Sequence, residues 1–262
     1  MSNGLSPGVS RSPQKTGALR AVRAAWRLLR VVLLIGQGVL LCALLFPWRS
    51  PAQRLVHVSR WCARVLRALG ITWAQHGLPR PGPVLLVANH VSWLDILAIN
   101  AVHPARFVSK ADVRQWPVLG WLVACGGTLF IERERKRDAM RVVHLVAEAL
   151  QAGDVMAVFP EGTTSDGHGL LPFHANLLQA AISVEAPLQA IALRYSDATE
   201  AVSQAAAFVG DTTLVQSLWW TVMAQDLHVR ITMLPPTGTR HADRRSLGEQ
   251  VRQDILAALE SA

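Results

Sequence analysis

The feature that most constrains this chain is an uncharged apolar run from Val31 to Trp48, set in an N-terminal third that contains no acidic residue. The first 94 residues hold 12 of the 26 lysines and arginines and none of the 18 aspartates and glutamates. The run falls just short of the ~20 residues that a helix needs to cross a bilayer. Gly36 and Gly38 in its middle weaken a straight helix. The run therefore predicts a segment that enters a membrane or lies on one.

Arginines at helical spacing lie on both sides of this run. Before it, from Ala18 onward, they recur three or four residues apart; after it, Pro51–Leu69 carries basic residues on one face and apolar residues on the other. Helices with one basic and one apolar face are typical of anionic membrane surfaces. We expect anionic membrane lipids as a partner, bound through two arginine stripes: Arg20, Arg23, Arg27 and Arg30, then Arg54, Arg60, Arg64 and Arg67.

The N-terminal residues thus divide into two predicted segments. Residues 1–17 contain serine, glycine and proline and predict a disordered tail. Residues 18–70 predict a membrane-associated helical hairpin with both flanks in the cytoplasm; a single span is the close alternative, and a cleaved signal peptide ranks third. Nucleic acid is not an expected partner, because the arginines alternate with apolar residues and no zinc-finger, RRM or zipper pattern is present. Three scattered cysteines, without disulfide or metal-ligand spacing, favour a reducing compartment.

From Ile71 to the end, short apolar runs alternate with amphipathic helical patterns. This alternation predicts one α/β domain over residues 71–262, with a mixed, mostly parallel sheet flanked by helices. The expected strands are 71–75, 83–88, 105–109, 127–132, 155–159, 188–194 and 228–234. The expected helices are 92–102, 116–125, 137–152, 173–184, 214–225 and 243–260. Ligands of such sheets gather at the carboxyl ends of the strands, so polar residues there are candidate site residues.

The first polar cluster follows the strand at 83–88. His90 stands five residues before Asp95, the first acidic residue of the chain. Residues five apart on one helix lie about 140° apart, so the two side chains can pair only if His90 is on the turn and Asp95 is in the first helical turn. Asp95 would then fix the tautomer of His90 and leave its other nitrogen as a base. A polar strand end with Ser92 as a helix N-cap explains the same residues, and this stretch alone leaves both interpretations open.

Two more polar clusters follow later strands. The strand at 127–132 delivers Arg133, whose guanidinium suits phosphate or carboxylate. The strand at 155–159 leads into a turn where Gly162 allows close approach of the backbone, and where Glu161 would orient an acceptor or pair with Arg133. Successive amides in that turn would suit an anion or an oxyanion. An ordinary basic loop and an ordinary polar turn are the alternatives for these clusters.

Taken together, four ordered segments resemble the motifs of the glycerolipid acyltransferase family, nearest to its bacterial 1-acyl-glycerol-3-phosphate acyltransferases. The segments are 89–95, 127–133, 159–163 and 186–192, and the last is degenerate, keeping chiefly Pro187. The resemblance covers residues 70–235. It implies that the hydroxyl of a lysolipid acceptor attacks acyl-CoA or acyl-carrier protein, making phosphatidate in phospholipid synthesis.

The resemblance also assigns roles to residues. His90 would deprotonate the acceptor hydroxyl and Asp95 would orient His90. No metal and no bound cofactor is expected, because the thioester is already activated. A lipid acceptor implies the inner membrane of a bacterium, with the catalytic domain facing the cytoplasm. Five further residues would hold the acceptor and its phosphate: Lys110, Arg133, Glu161, Gly162 and Thr163.

The chain departs from the family pattern at Thr164, where many members carry arginine. One phosphate contact is lost, and the residues after Thr164 resemble the branch that acylates lyso-ornithine lipid. Lysophosphatidate remains the first expectation and lyso-ornithine lipid the alternative. A thioesterase or lipid hydrolase is less favoured because no Gly-x-Ser-x-Gly motif is present. A non-catalytic membrane-binding protein would explain the basic hairpin but not the three polar clusters.

Overall fold

The computed structural model of the chain describes residues 13–131 and 136–261. Within them, one sheet has the strand order β1-β7-β6-β2-β5-β3-β4. Only the β6–β7 pair is antiparallel among the neighbouring strands of this sheet. The mixed, mostly parallel sheet is as predicted. Its strands are β1 (Thr72–His76), β2 (Val84–Ala88), β3 (Arg106–Lys110), β4 (Leu129–Ile131), β5 (Val155–Val158), β6 (Leu188–Ser196) and β7 (His228–Met233).

Helices cover both faces of the sheet, and β2 shows why. All five β2 residues are buried, because alternate side chains enter two separate cores. Val84, Leu86 and Ala88 join one core, and Leu85 and Val87 join the other. The helices are α1 (Pro13–Leu40), α2 (Pro51–Leu69), α3 (Leu94–Val102), α4 (Leu119–Cys125), α5 (Lys136–Gln151), α6 (Leu178–Ser183), α7 (Leu214–Met223) and α8 (Arg244–Glu260). The first core takes residues from α1, α2, α3 and α7, and the second from α5, α6 and α8.

All seven predicted strands are present, with their ends shifted by one or two residues. Two predicted helices are shorter than expected. The segment 116–125 is helical only from Leu119, after a separate 3-10 turn at Ala111–Gln115, and the segment 173–184 begins as a 3-10 turn at Ala175–Leu177. A proline precedes each α-helix in these segments, at 117 and 172, and prolines favour helix starts over helix interiors.

The N-terminal segment is a helical hairpin, as predicted, but its details differ. α1 begins at Pro13, so residues 13–17 are helical rather than a disordered tail; the remainder of that predicted tail lies outside the described residues. The helix also continues through Gly36 and Gly38, and the chain reverses later, through a π-helical turn at Leu41–Leu45 and a 3-10 turn at Phe46–Trp48. Gly38 has a packing role, because a Cβ there would lie 3.1 Å from the indole of Trp61 on α2.

Part of the arginine stripe of α1 is turned toward the catalytic domain: Arg23 and Arg27 are half-buried, whereas Arg20 and Arg30 are exposed, and contact of the stripe with anionic lipid stays a prediction. Arg27 donates from Nη1 to the carbonyls of Val222 (2.8 Å) and Ala224 (2.9 Å), at the C-terminal end of α7. The Nε and Nη2 atoms of Arg23 are also buried. Cations suit the C-terminal end of a helix, where carbonyls lack partners and the dipole is negative. Arg27 therefore attaches the hairpin to the domain.

The opposite face of α1 is apolar and exposed. The segment Gly17–Trp48 is long and apolar enough to cross a membrane. Its most apolar 18-residue window has a mean hydropathy of 2.4, and only 11% of that window is buried. An exposed apolar surface of this extent marks contact with another apolar phase. Its large exposed side chains are Leu19, Val22, Trp26, Leu29, Val32, Leu33, Leu40, Leu44 and Trp48.

Candidate active site

The His90–Asp95 pair forms at the carboxyl end of β2. The Nδ1 atom of His90 lies 2.8 Å from Oδ2 of Asp95, on the turn and in the first turn of α3, respectively. Asp95 is fully buried, whereas the His90 side chain is 20% exposed. An ionised carboxylate only accepts hydrogen bonds, so Nδ1 of His90 is the donor and Nε2 carries the free lone pair. The geometry leaves Nε2 as the available base.

Asp95 also closes the turn that carries His90. Its Oδ2 accepts the backbone amides of Val91 (2.7 Å) and Ser92 (2.9 Å). The expectation that Ser92 caps α3 was wrong, because α3 begins at Leu94 and the buried Ser92 hydroxyl has no partner among the described residues. The Asp95 carboxylate therefore stabilises the turn before α3, and no described side chain caps the helix itself.

Glu161 supports the same turn from the end of β5. Its Oε1 accepts the backbone amide of His90 (2.6 Å), and its Oε2 accepts the amide of Leu171 (2.9 Å). The residue is 3% exposed. Burial raises the pKa of Glu161, while its hydrogen bonds to the two amides act in the opposite direction. The structure thus gives Glu161 a role in holding the His90 backbone; contact with the acceptor stays a prediction.

The turn after β5 is tightened at Gly162 and then joined to the His90 turn. Gly162 has φ +74°, a left-handed conformation that glycine adopts without strain, and its amide donates to the carbonyl of Phe159 (3.1 Å). The Ser165 amide donates to the carbonyl of His90 (2.8 Å). The Thr164 hydroxyl donates to the carbonyl of Phe208. The two predicted clusters, 89–95 and 159–165, therefore form one unit.

Aromatic packing adds a second contact to the base. The ring of Phe159 stacks on the His90 imidazole, with centroids 4.0 Å apart and planes at 11°. Phe107 of β3 stacks behind Phe159, with centroids 5.9 Å apart. One face of the imidazole is consequently covered by apolar rings that exclude water from that side.

The remaining predicted site residues are less closely placed. Lys110 ends β3, which is parallel to β2 and two strands from it, so Lys110 lies at the same sheet edge as His90, roughly 10 Å away. Its Nζ pairs with Asp112 (2.5 Å) on the surface. Thr163 is exposed on the turn. Arg133 lies outside the described residues. Within the described ranges no three His, Cys, Asp or Glu side chains form a group that could hold a metal ion.

Sequence reasoning missed two buried residues that complete this site. Tyr195 on β6 donates its hydroxyl to Oδ1 of Asp95 (2.8 Å). Asn89 bonds both the carbonyl (2.9 Å) and the amide (2.7 Å) of Leu193, which fastens the end of β2 to β6. A possible signal was present: Tyr195 is the single tyrosine of the chain and stands in an apolar strand.

Comparisons with known proteins identify the same region. The family profile described as Acyltransferase matches residues 71–194. The chain is 38% identical over 198 residues to a 1-acyl-sn-glycerol-3-phosphate acyltransferase of Neisseria meningitidis serogroup B, covering 74% of this chain and 77% of that protein. It is also 38% identical over 200 residues to a lyso-ornithine lipid O-acyltransferase of Pseudomonas aeruginosa, covering 76% of each.

A solved structure has the same fold. The crystal structure of a 1-acyl-sn-glycerophosphate acyltransferase from Thermotoga maritima matches with a TM-score of 0.69, over 94% of this chain and 96% of the other. The two sequences are 17% identical, so this likeness concerns the fold alone.

Proposed function

The chain belongs to the acyltransferase family, and we propose that it transfers a fatty acyl group to the free hydroxyl of a lysolipid, with lysophosphatidate as the first acceptor. The observation that carries the proposal is the His90–Asp95 pair, 2.8 Å apart, with the base nitrogen at the carboxyl edge of the sheet. Relatives at the same identity act, by their names, on a glycerol phosphate lipid and on an ornithine lipid. Acyl-CoA or acyl-carrier protein is the proposed donor.

In the proposed reaction the acceptor hydroxyl loses its proton to Nε2 of His90 as its oxygen attacks the thioester carbonyl. The tetrahedral intermediate then expels the thiolate, which takes the proton from the imidazolium, so the base is regenerated. Asp95 faces the other nitrogen and stabilises the transient positive charge. General base catalysis of this kind contributes about 10²–10⁴-fold. The thioester supplies the driving force, and no bound metal or cofactor enters the reaction.

Thr164 bears on the identity of the acceptor headgroup. Its hydroxyl donates to the carbonyl of Phe208 and so holds the loop after β6. Unlike an arginine at this position, it offers no positive charge to a phosphate. This favours keeping lyso-ornithine lipid as the second candidate acceptor. Lys110, at the same sheet edge, is the described cation proposed to meet a phosphate.

We place the protein on the cytoplasmic face of a bacterial inner membrane, with α1 lying along the surface. α1 contacts α7 through Arg27 and α4 through Gly38, whose Cβ position is 3.4 Å from Leu122. The hairpin turn continues that contact, since Cys42 in the turn lies close enough to Cys125, at the end of α4, for the two thiols to interact. From Arg27 to Cys42 the chain covers about 22 Å at 1.5 Å per residue. A perpendicular span through ~30 Å of hydrocarbon would submerge α4 and the end of α7, which favours an interfacial hairpin.

A paired substitution tests this disposition. Leu33→Asp removes an exposed leucine from the apolar face of α1 and adds a charge, whereas Leu78→Asp makes the same change on an exposed leucine of the loop after β1. Burying one leucine is worth about 1.5–3 kcal/mol, so Leu33→Asp should weaken binding to anionic vesicles by about tenfold or more. Leu78→Asp should bind as the wild type. Equal binding by the wild type and both variants would refute the proposed contact of α1 with the membrane.

The function is tested by acyl transfer from a labelled acyl thioester. Purified protein in detergent receives lysophosphatidate and lyso-ornithine lipid side by side. Labelled phosphatidate would support lysophosphatidate as the acceptor, and labelled ornithine lipid alone would support lyso-ornithine lipid instead. Free fatty acid with neither lipid product would mean that water is the acceptor and that the protein is a thioesterase.

The matched variants are His90→Ala and His76→Ala. His76 is an exposed histidine at the end of β1, so its loss should leave turnover unchanged. His90→Ala should lower the rate of transfer by about 10²–10⁴-fold while the protein remains folded and bound to vesicles. Turnover retained in His90→Ala would refute the assignment of the base.

A further inference from the structure

The hydroxyl of Tyr195 reaches the catalytic pair from the side opposite His90. Tyr195 lies in β6, the neighbour of β2, and is 2% exposed. Its hydroxyl lies 2.8 Å from Oδ1 of Asp95, whereas His90, Val91 and Ser92 all bond to Oδ2. The two oxygens of one buried carboxylate are therefore divided between the base and the tyrosine.

We propose that Tyr195 is a positioning residue of the acyl transfer reaction, whose hydroxyl fixes the plane of the Asp95 carboxylate and withdraws part of its charge from His90. The inference rests on the proposed function, because it assigns Tyr195 a task in that same site. Tyr195 touches neither substrate nor the reacting atoms; it acts through Asp95.

Two physical effects support this role. Rotation about the Cβ–Cγ bond of Asp95 would move both carboxylate oxygens, so the bond from Tyr195 to Oδ1 adds to the three bonds at Oδ2 in opposing that rotation. A hydrogen bond also spreads the negative charge over the donor, so the attraction between Asp95 and a protonated His90 is weakened.

Tyr195 is able to act as a donor at every working pH. Burial and the negative charge of Asp95 raise the pKa of Tyr195 well above its ordinary range, so the hydroxyl keeps its proton. The titratable groups that face Asp95 are His90, Tyr195 and Glu161. Of these, Glu161 accepts backbone amides, so Tyr195 is the group that bonds to Asp95 at the oxygen that His90 does not use.

The test replaces Tyr195 with phenylalanine, which removes the hydroxyl and keeps the ring in the core. Asp95 then fixes the orientation of His90 less firmly, and misorientation of the base should lower kcat/KM by about 10- to 100-fold. The KM for the lysolipid should stay within about twofold, because the residue does not contact substrate. The acid limb of the kcat/KM profile should move to higher pH, since Asp95 then holds the His90 proton more strongly.

Thr239→Val is the matched control. Thr239 is also buried beside β6, where its hydroxyl donates to the carbonyl of Ala186 (2.8 Å) at the end far from Asp95. This variant should lose stability but keep the position of the acid limb. The double variant Tyr195→Phe with His90→Ala should be no slower than His90→Ala alone, because Tyr195 acts through the base.

A second measurement needs no turnover. Because Tyr195 is the only tyrosine, growth on fluorinated tyrosine labels that position alone. The fluorine NMR shift should titrate with pH in parallel with the acid limb, and this titration should vanish in His90→Ala. Two results with an active wild type would overturn the role of Tyr195. One is a fluorine titration that is unchanged in His90→Ala, and the other is a Tyr195→Phe variant with the wild-type rate and pH profile. A wild type without acyl transfer would instead refute the proposed function.

Discussion

Replacing Asp95 with asparagine separates its two possible tasks, capping a turn and orienting a base. Asp95 accepts four hydrogen bonds, three at Oδ2 and one at Oδ1. An asparagine oxygen in the place of Oδ2 can accept the same three, and the Tyr195 hydroxyl can rotate to accept from the new amide. The number of hydrogen bonds is preserved, and only the charge is lost.

The magnitudes then differ sharply between stability and catalysis. Three bonds to a charged acceptor become neutral, at a cost of about 1 kcal/mol each, and removal of a fully buried charge offsets part of it. We expect the free energy of unfolding to fall by no more than about 3 kcal/mol. Catalysis loses the charge that stabilises the His90 imidazolium, so kcat should fall by about 10²–10⁴-fold.

The assay measures kcat with the labelled thioester and unfolding with urea on the same preparations. Asp154→Asn is the control, because Asp154 pairs with Arg106 at the opposite end of the strands and its loss should lower stability without changing kcat. If Asp95→Asn were destabilised like this control but kept kcat within tenfold of the wild type, Asp95 would be a helix cap and the orienting role would be refuted.

Three further predictions follow from the same structure. Burial raises the pKa of Glu161 above its ordinary value of 4.5, so the folded protein keeps this proton when the unfolded chain has lost it. The stability of the wild type relative to Glu161→Gln should therefore decline as pH rises from 4.5 through the raised pKa. Urea unfolding of both proteins at several pH values measures this difference, and a constant difference would contradict the prediction. Arg27→Ala should lower stability by about 1.5–3 kcal/mol through its two carbonyl bonds, whereas exposed Arg30→Ala should change it by less than about 0.5; urea unfolding with equal losses would be evidence against the docked stripe. Prolonged oxidation with diamide at alkaline pH should join Cys42 to Cys125, because the two thiols are neighbours, whereas burial raises the pKa of Cys42 to about 12 and slows its reaction. Mass spectrometry of unreduced peptides reads the disulfide, and a disulfide that forms in detergent but not on vesicles would mean that the hairpin leaves the domain at the membrane.

The sheet was predictable because each strand is a short apolar run between turn residues, and burial on both faces makes such runs conspicuous. The pairing of His90 with Asp95 was also predictable, because the two residues are five positions apart and a single turn is enough to bring their side chains together. Contacts between distant segments were not accessible. Tyr195 is 100 residues from Asp95 and meets it only because β6 pairs with β2.

Two assignments show where residue type misleads. All four arginines of the α1 stripe were predicted to bind lipid, but Arg27 bonds to the carbonyls at the end of α7, and the sequence does not distinguish the two partners. Glu161 was expected to orient the acceptor or to pair with Arg133, and the sequence did not show that its two oxygens also accept backbone amides. In both cases the spacing indicated a charged group at the correct place, and the fold decided which backbone groups lay nearest.

The stacking of Phe159 on His90 has a consequence for the motion of the base. Rotating the imidazole about its Cβ–Cγ bond would drive the ring edge into Phe159, only 4.0 Å away, and would also break the bond to Asp95. The ring is restrained on its face by one strand end and on its edge by a helix. The lone pair of Nε2 therefore keeps one direction between turnovers, and each acceptor meets a base whose orientational entropy was lost during folding rather than during catalysis.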